Sequence, residues 1–186
     1  MSRTSESSPG SASEPSEVPD ADPESVARRI LLDQLTGQAR SRQELAEKLA
    51  KRLVPDEIAE RLLDRFEEVG LIDDAAFARL WVESRQSGKG LARRALAQEL
   101  RRKGVDDDIA REALDELEPE QEREAARRLV RRKLPSMSRL DEPVKVRRLV
   151  GMLARKGYSP GLAFDVVRAA LHTDGLEEMS ESLRDC

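Results

Sequence analysis

The chain has 186 residues, 38% of them charged and only 3% aromatic, so its core must be aliphatic, and slender helical layers suit it better than one thick globule. The net charge of −4 is uneven: residues 1–24 carry −5 and residues 174–186 carry −4, leaving +5 on residues 25–173, a basic body between two acidic ends. The one cysteine, Cys186, excludes an intramolecular disulfide, and with neither an apolar signal core nor a run of ~18 apolar residues the expected setting is the cytoplasm.

Residues 1–22 are Ser, Pro, Glu and Asp with almost nothing apolar. Such a segment cannot bury enough surface to offset its ordering entropy, so a disordered tail is expected there. Asp22-Pro23 reads as an N-cap followed by a proline in the first turn of a helix over 24–36. Ser41-Arg42-Gln43-Glu44 is a capping box ahead of Leu45, Leu49 and Leu53. Ile58, Leu62 and Phe66 follow at helical spacing, and Gly70 stops that helix. Phe77, Leu80 and Trp81 form the stripe of a helix over 74–86, and a further helix is expected over 119–133. Ser159-Pro160 repeats the N-cap and proline pattern. From Asp174 onward a second acidic tail is expected, with Leu176, Met179 and Leu183 able to form at most a weak last turn.

Three stretches read alike: "ELAEKLAKRLVPDEIAERLL", "RALAQELRRKGVDDDIAREAL" and "VRRLVGMLARKGYSPGLAFDVV". Leu45, Leu96 and Leu149 correspond, as do Leu49, Leu100 and Leu153, and then Ile58, Ile109 and Leu162. The fold class expected is all-α, an elongated, curved array of three tandem three-helix repeats over 23–73, 74–118 and 119–173, between tails at 1–22 and 174–186. One repeat alone would be marginal, so neighbours are expected to share core surface. Gly104 and Gly157 match at helix ends, where a left-handed residue is favoured; Leu53 stands at that place in the first repeat.

Ser87-Gly88-Lys89-Gly90 hints at a phosphate loop, but the spacing rejects it. Glu83 stands where that motif needs its first glycine, Gly90 replaces the magnesium-binding hydroxyl, and a helix precedes the turn instead of a strand. The expected reading is that Ser87-Gly88 ends one helix and Gly90 opens the turn to the next. The cations are a stronger signal. Arg85, Lys89, Arg93, Arg94, Arg101, Arg102 and Lys103 face a single acid, Glu99, over residues 85–103, and residues 121–157 are net +8. A face of that kind recognises a phosphate backbone or an acidic protein surface. Arg127 and Arg131 on the helix 119–133, with Arg147 and Arg148, are second candidates for the same contact.

Catalytic and metal chemistry find no constellation. His172 is the only histidine and, with Cys186 at the terminus, cannot build a His/Cys zinc site. Asp106-Asp107-Asp108 and Asp73-Asp74 sit at helix starts and read as caps. Phe77 and Trp81 read as core. No cofactor is expected and an enzyme is not.

The stretch "GLIDDAAFARLWVESRQSGKGLARRALAQELRRKGV", with its Asp-Asp turn, Phe, aromatic, Ser-Arg, glycine-bearing turn, Glu-Leu and Lys-Gly in order, resembles the RecX family, the small bacterial regulators of the RecA recombinase. The resemblance covers about residues 24–171 and includes the triple repeat. A long acidic N-terminal extension, Trp81, and a looser third repeat are departures from it. The resemblance implies three tandem three-helix repeats. It also implies binding in the helical groove of the RecA–DNA filament, with suppression of strand exchange, coprotease and ATPase activity and no catalytic residues. The chain is then expected to be a monomer that meets single- or double-stranded DNA weakly or through the filament. Rival readings are a direct DNA-binding protein that needs no recombinase partner, and a helical adaptor whose charge serves solubility alone.

Overall fold

The computed structural model describes residues 22–184, with side chains described as far as Thr173; of the tail expected over residues 1–22, all but Asp22, the cap of α1, lies outside the described residues. Among them every regular element is helical. The first repeat is α1 (Pro23–Gly37), α2 (Arg42–Ala50) and α3 (Asp56–Glu68). The second is α4 (Asp74–Lys89), α5 (Arg93–Arg102) and α6 (Asp107–Asp115). The third is α7 (Pro119–Lys133), a 3₁₀ turn (Leu134–Met137), α8 (Glu142–Arg155) and α9 (Pro160–Arg184).

Local chemistry sets the helix starts. Asp22 caps α1 by accepting from the Ser25 amide at 3.2 Å. The Ser41 hydroxyl accepts from the Glu44 amide at 3.2 Å while the Glu44 carboxylate accepts from the Ser41 amide at 3.4 Å, a closed capping box. Asp73 caps α4 through the Ala76 amide at 2.8 Å, and Asp106 caps α6 through the Asp108 amide at 2.8 Å. Two helices outrun the sequence expectation. α4 continues through Ser87 and Gly88 and stops at Gly90, whose φ is +59°. One interior glycine costs about 1 kcal/mol, too little to end a helix that has a left-handed stop two residues later. α9 continues to Arg184, through the segment expected as an acidic tail.

Each repeat has its own core. Leu31, Leu45, Leu49, Leu63 and Phe66 fill the first; Phe77, Val82, Leu96, Leu100 and Leu114 the second; Val130, Leu149, Leu153, Tyr158 and Val167 the third. The expected sharing of core surface is therefore mostly absent, and only Ala92 of the second repeat belongs to the third repeat's cluster. Leu80, expected in the buried stripe of α4, is 56% exposed. The buried face runs through Phe77, Ala78 and Val82, and Leu80 sits on the next face round the helix.

What joins the repeats is polar and tight. The C-terminus of α5 meets the N-terminus of α2: the buried Ser41 hydroxyl donates to the Lys103 carbonyl at 2.6 Å. The C-terminus of α8 meets the N-terminus of α5 in the same way: the Ala92 amide donates to the Lys156 carbonyl at 2.9 Å. At both junctions a carboxylate of the following repeat accepts the first amide of the stacked helix, Asp74 from Arg42 at 2.8 Å and Glu122 from Arg93 at 2.9 Å. The middle helices thus lie head to tail, with dipoles aligned and end groups satisfied by each other. Burial raises the Asp74 carboxyl above its ordinary range, the Arg42 amide pulling against it. At the second junction the Tyr158 hydroxyl also donates to the Gly90 carbonyl at 3.1 Å.

The matched glycines belong to these junctions. A Cβ on Gly157 (φ +91°) would lie 2.6 Å from the Ala95 backbone nitrogen, and one on Gly104 (φ +72°) would run into the Gln43 side chain. Leu53 holds the same left-handed conformation, φ +59°, but is 90% exposed, with no described element packed over it. Gly157→Ala should therefore cost about 2–4 kcal/mol by adding a clash to left-handed strain. Leu53→Gly should gain about 0.5–1 kcal/mol, since the strain relieved exceeds the added chain entropy; urea unfolding of the two variants measures both. Burial, with Glu122 nearby, pushes the Tyr158 phenol up to about 12. A raised folded pKa means its stabilisation is complete below about pH 10 and lost as pH rises toward 12. Tyr158→Phe should cost about 1–3 kcal/mol at neutral pH by orphaning the Gly90 carbonyl, and should flatten that part of the alkaline stability profile.

Candidate functional site: a cationic face on the second and third repeats

The turn at Ser87–Gly90 is no phosphate cradle. It is the C-terminal end of α4, where carbonyls point outward, and the Gly90 amide is already bonded to the Gln86 carbonyl at 2.9 Å. A helix C-terminus repels a phosphate. The cations around that turn have two different fates.

Several of the residues singled out by sequence are engaged within the fold. Arg85 lies 4.0 Å from the centre of the Trp81 ring and 3.3 Å from Glu99, and Lys103 lies 4.6 Å from the same ring while pairing with Glu44 of the first repeat. The Trp81 indole donates to Glu99 at 2.9 Å. Trp81, read as core, is thus half-buried in a cage of charged side chains that braces the first junction. Arg93 reaches Asp115 at 2.8 Å and the Leu117 carbonyl at 3.0 Å, and Arg101 reaches Asp107 at 3.1 Å. On α7, Arg127 pairs with Glu120 at 2.9 Å and Arg131 with Glu124 at 2.7 Å. Against the desolvation of its site, Arg131 and Arg127 hold the Glu124 carboxyl below its ordinary range.

Lys89, Arg94, Arg102, Arg147 and Arg148 are exposed and form no ion pair among the described residues. The structure adds cations outside those candidates. Arg128 and Arg132, one turn apart on α7, flank Ser87, Gly88 and Gly90. Lys156 joins them by donating to the Lys89 carbonyl at 2.6 Å. Its ammonium is pushed below the ordinary lysine range by burial first, then by Arg132 and Lys89. Further along, Lys133, Arg147, Arg148 and Arg155 surround a depression of about 480 Å³ between the end of α7 and α8, with no carboxylate in its lining. A second cleft, between α5, α6 and the start of α9, is mixed: Arg93, Arg94, Arg101 and Arg111 stand there among Asp107, Asp115 and Glu122.

The unpaired face therefore follows one stripe of α7 onto α8. Glu120, Glu124, Arg127 and Arg131 share a stripe and neutralise one another, whereas Arg128 and Arg132 lie on the neighbouring stripe against the second repeat. Intrahelical spacing alone does not separate the pairs, because Glu124 is within reach of both Arg127 and Arg128. What decides is how α7 is rotated over its core. Among the described residues no group of three His, Cys, Asp or Glu side chains is placed to hold a metal ion, and no helix is long and apolar enough to cross a membrane.

Comparison with known proteins agrees with this architecture. Models of the first, second and third three-helix domains of RecX match residues 27–66, 73–114 and 120–167. The regulatory protein RecX of Streptomyces coelicolor is 56% identical over 167 residues, 90% of this chain and 88% of that one. That of Thermobifida fusca is 54% identical over 151 residues, 81% of this chain and 82% of that one. Among solved structures, RecX from Lactobacillus salivarius superposes with a TM-score of 0.73 at 22% identity, over 80% of this chain and 97% of that one. Another regulatory protein RecX superposes with a TM-score of 0.72 at 26% identity, over 80% of this chain and 73% of that one. Three consecutive domain matches in the order of the three observed helix triplets, with relatives above half identity across most of the length, establish that the chain belongs to the RecX family of regulatory proteins.

Proposed function

We propose that this chain regulates a RecA-type recombinase by laying the cationic face of its second and third repeats in the groove of the recombinase–DNA filament. It acts in the cytoplasm as a monomer and performs no catalysis. The observation that carries this reading is the convergence of Lys89, Arg132 and Lys156 at the second junction with no ion-pair partner among the described residues. The whole chain has 37 acids against 33 Lys and Arg, so carboxylates are not scarce; they are kept off this face. Like charges held together favour a polyanionic surface that relieves their repulsion.

Contact falls to Lys89, Arg94, Arg102, Arg147 and Arg148, with Arg128, Arg132 and Lys156 beside them. Arg85, Arg93, Arg101, Lys103, Arg127 and Arg131 serve the fold first. A chain of serially joined repeats lying in the groove excludes a second DNA and restrains the protomer motion tied to ATP turnover. Strand exchange, coprotease activity and ATP hydrolysis fall together by that one act of occupation.

Two α7 variants separate this face from its neighbour. Arg128→Gln with Arg132→Gln should raise the concentration needed to inhibit filament ATP hydrolysis by about tenfold, at no more than ~1 kcal/mol for each exposed charge. Arg127→Gln with Arg131→Gln should leave inhibition near that of the unmodified chain. Equal behaviour of the two pairs, with circular dichroism unchanged, removes the proposal.

The depression formed by Lys133, Arg147, Arg148 and Arg155 favours a second reading, direct binding to nucleic acid without a recombinase. Salt titration distinguishes the two. Affinity for naked DNA should fall by about one log unit per log unit of salt for each phosphate contacted. It should also stay well below affinity for the filament at every salt concentration. Naked DNA bound as tightly as the filament would establish the second reading.

A further inference from the structure

The outer face of the third repeat carries an apolar feature, beside Arg147 and Arg148 of the cationic face, that binding through charge alone does not use. Between α8 and α9 lies an apolar slot of about 800 Å³ lined by Pro143, Val146, Val150 and Phe164, with Glu142 at one rim. Phe164 is 49% exposed there, among the largest apolar surfaces left open by the described residues. The slot adjoins the acid-free depression of Lys133, Arg147, Arg148 and Arg155, and Arg147 and Gly151 line both.

Gly151 is the second observation. It stands in the interior of α8, where glycine costs helix stability relative to alanine. Nothing inside the fold requires it: a Cβ there would meet only the Arg155 guanidinium, at an ordinary 3.6 Å. Gly151 lines both the slot and the depression and places no side chain between them.

The third observation is the repeat register. By the leucine correspondence, Lys145–Arg148 occupy the positions of Ser41–Glu44 and Ala92–Ala95, the segments by which the first two repeats join the next one. Among the described residues nothing covers them. At both internal junctions the covering repeat presents a carboxylate, Asp74 or Glu122, to that segment. Where those segments sit against another repeat, the third has Val146 and Arg147 in the slot with Phe164, and Arg148 in the adjoining depression.

We infer that the α8–α9 face of the third repeat docks a short acidic segment of a partner protein, one bulky apolar residue seated beside Phe164 and flanking carboxylates over Arg147, Arg148 and their neighbours. The segment covers the face that in register corresponds to the internal junctions, but through the Arg147 and Arg148 side chains, because α8 starts at Glu142 and the Val146 amide lies inside the helix. The chain's own N-terminal segment supplies acids but has no Leu, Ile or aromatic residue in positions 1–21 to fill the slot. A nucleic acid strand fits less well. The slot walls are aliphatic with a single aromatic ring and one cation, Arg147, and a carboxylate, Glu142, also lines it. This goes beyond the filament reading and stands whatever protein the segment belongs to.

The test is fluorescence anisotropy on the full chain with a fluorescein-labelled nonapeptide of Asp and Glu around one central Phe, at about 0.1 M salt. The expected result is saturable binding that weakens at least tenfold with Phe164→Ser, and by a similar factor when the peptide Phe is replaced by Ala. The two changes together should cost little more than either alone. Gly151→Ala should weaken peptide binding severalfold while raising the melting temperature, an opposition that a purely structural role would not produce. No saturable binding, or binding indifferent to Phe164 and to the peptide Phe, overturns the inference. So does an oligothymidylate that competes and is itself sensitive to Phe164→Ser, which would make the face a nucleic acid site. Tighter peptide binding after deletion of residues 1–21, or a dimer dissociated by Phe164→Ser in sedimentation, would assign the slot to the chain's own tail or to a second copy and also overturn it. No recombinase is present in this assay, so its failure leaves the filament reading standing, and failure of the Arg128/Arg132 contrast leaves this site standing.

Discussion

The end-to-end meeting of α2, α5 and α8 is the constraint on which the rest of the molecule depends. Each repeat closes a small aliphatic core of its own, and almost no apolar surface is shared. Three such cores would swing freely if nothing else tied them. The tie is the pairing of orphan helix ends: a C-terminal carbonyl accepts from the N-terminal cap of the preceding middle helix, and a carboxylate takes that helix's first amide. Hydrogen bonds between partly desolvated end groups are directional where apolar contact is not, so they fix how one repeat is set against the next.

The same arrangement places charge. A helix C-terminus favours nearby cations, and each junction brings the C-terminal turns of α5 or α8 to the surface, where Lys103 and Lys156 sit. At the first junction Glu44, Glu99 and the Trp81 ring absorb that charge. At the second, Lys156 is left with Lys89 and Arg132 for company. Two junctions of one design therefore differ in what they offer a partner: the first is neutral bracing, the second an unbalanced cationic patch. The difference comes down largely to Glu44 and Glu99, whose counterparts in the next repeat are Ala95 and Met152.

Much of this was legible in the chain. The leucine triplets gave the repeat, the capping box at Ser41 and the cap at Asp22 set helix starts where they occur, and the matched glycines marked the helix ends. What escaped has a common cause. Whether Leu80 faces inward, whether Arg127 or Arg128 is free, and whether Arg93 is a ligand or a strut all depend on helix rotation and on partners distant in sequence, such as Asp115 for Arg93. Local spacing carries no record of either. The role of Gly157 was half visible: its left-handed turn followed from position, but the close approach of Ala95 did not.

The two ends of the series are finished in opposite ways. At the first repeat, Leu53 occupies the turn where the later repeats have glycine, and its side chain stands out into solvent from a left-handed backbone. Any helix approaching that end as α2 approaches α5 would have to displace the leucine side chain. At the third repeat no such obstruction exists. α8 begins about a turn earlier than α2 and α5 do in register, and the segment Lys145–Arg148 is left with an apolar slot on one side and cations on the other. One end carries an exposed leucine on a left-handed backbone, and the other an apolar slot beside unpaired arginines. That asymmetry is why the search for a partner's contact belongs on the last repeat and not the first.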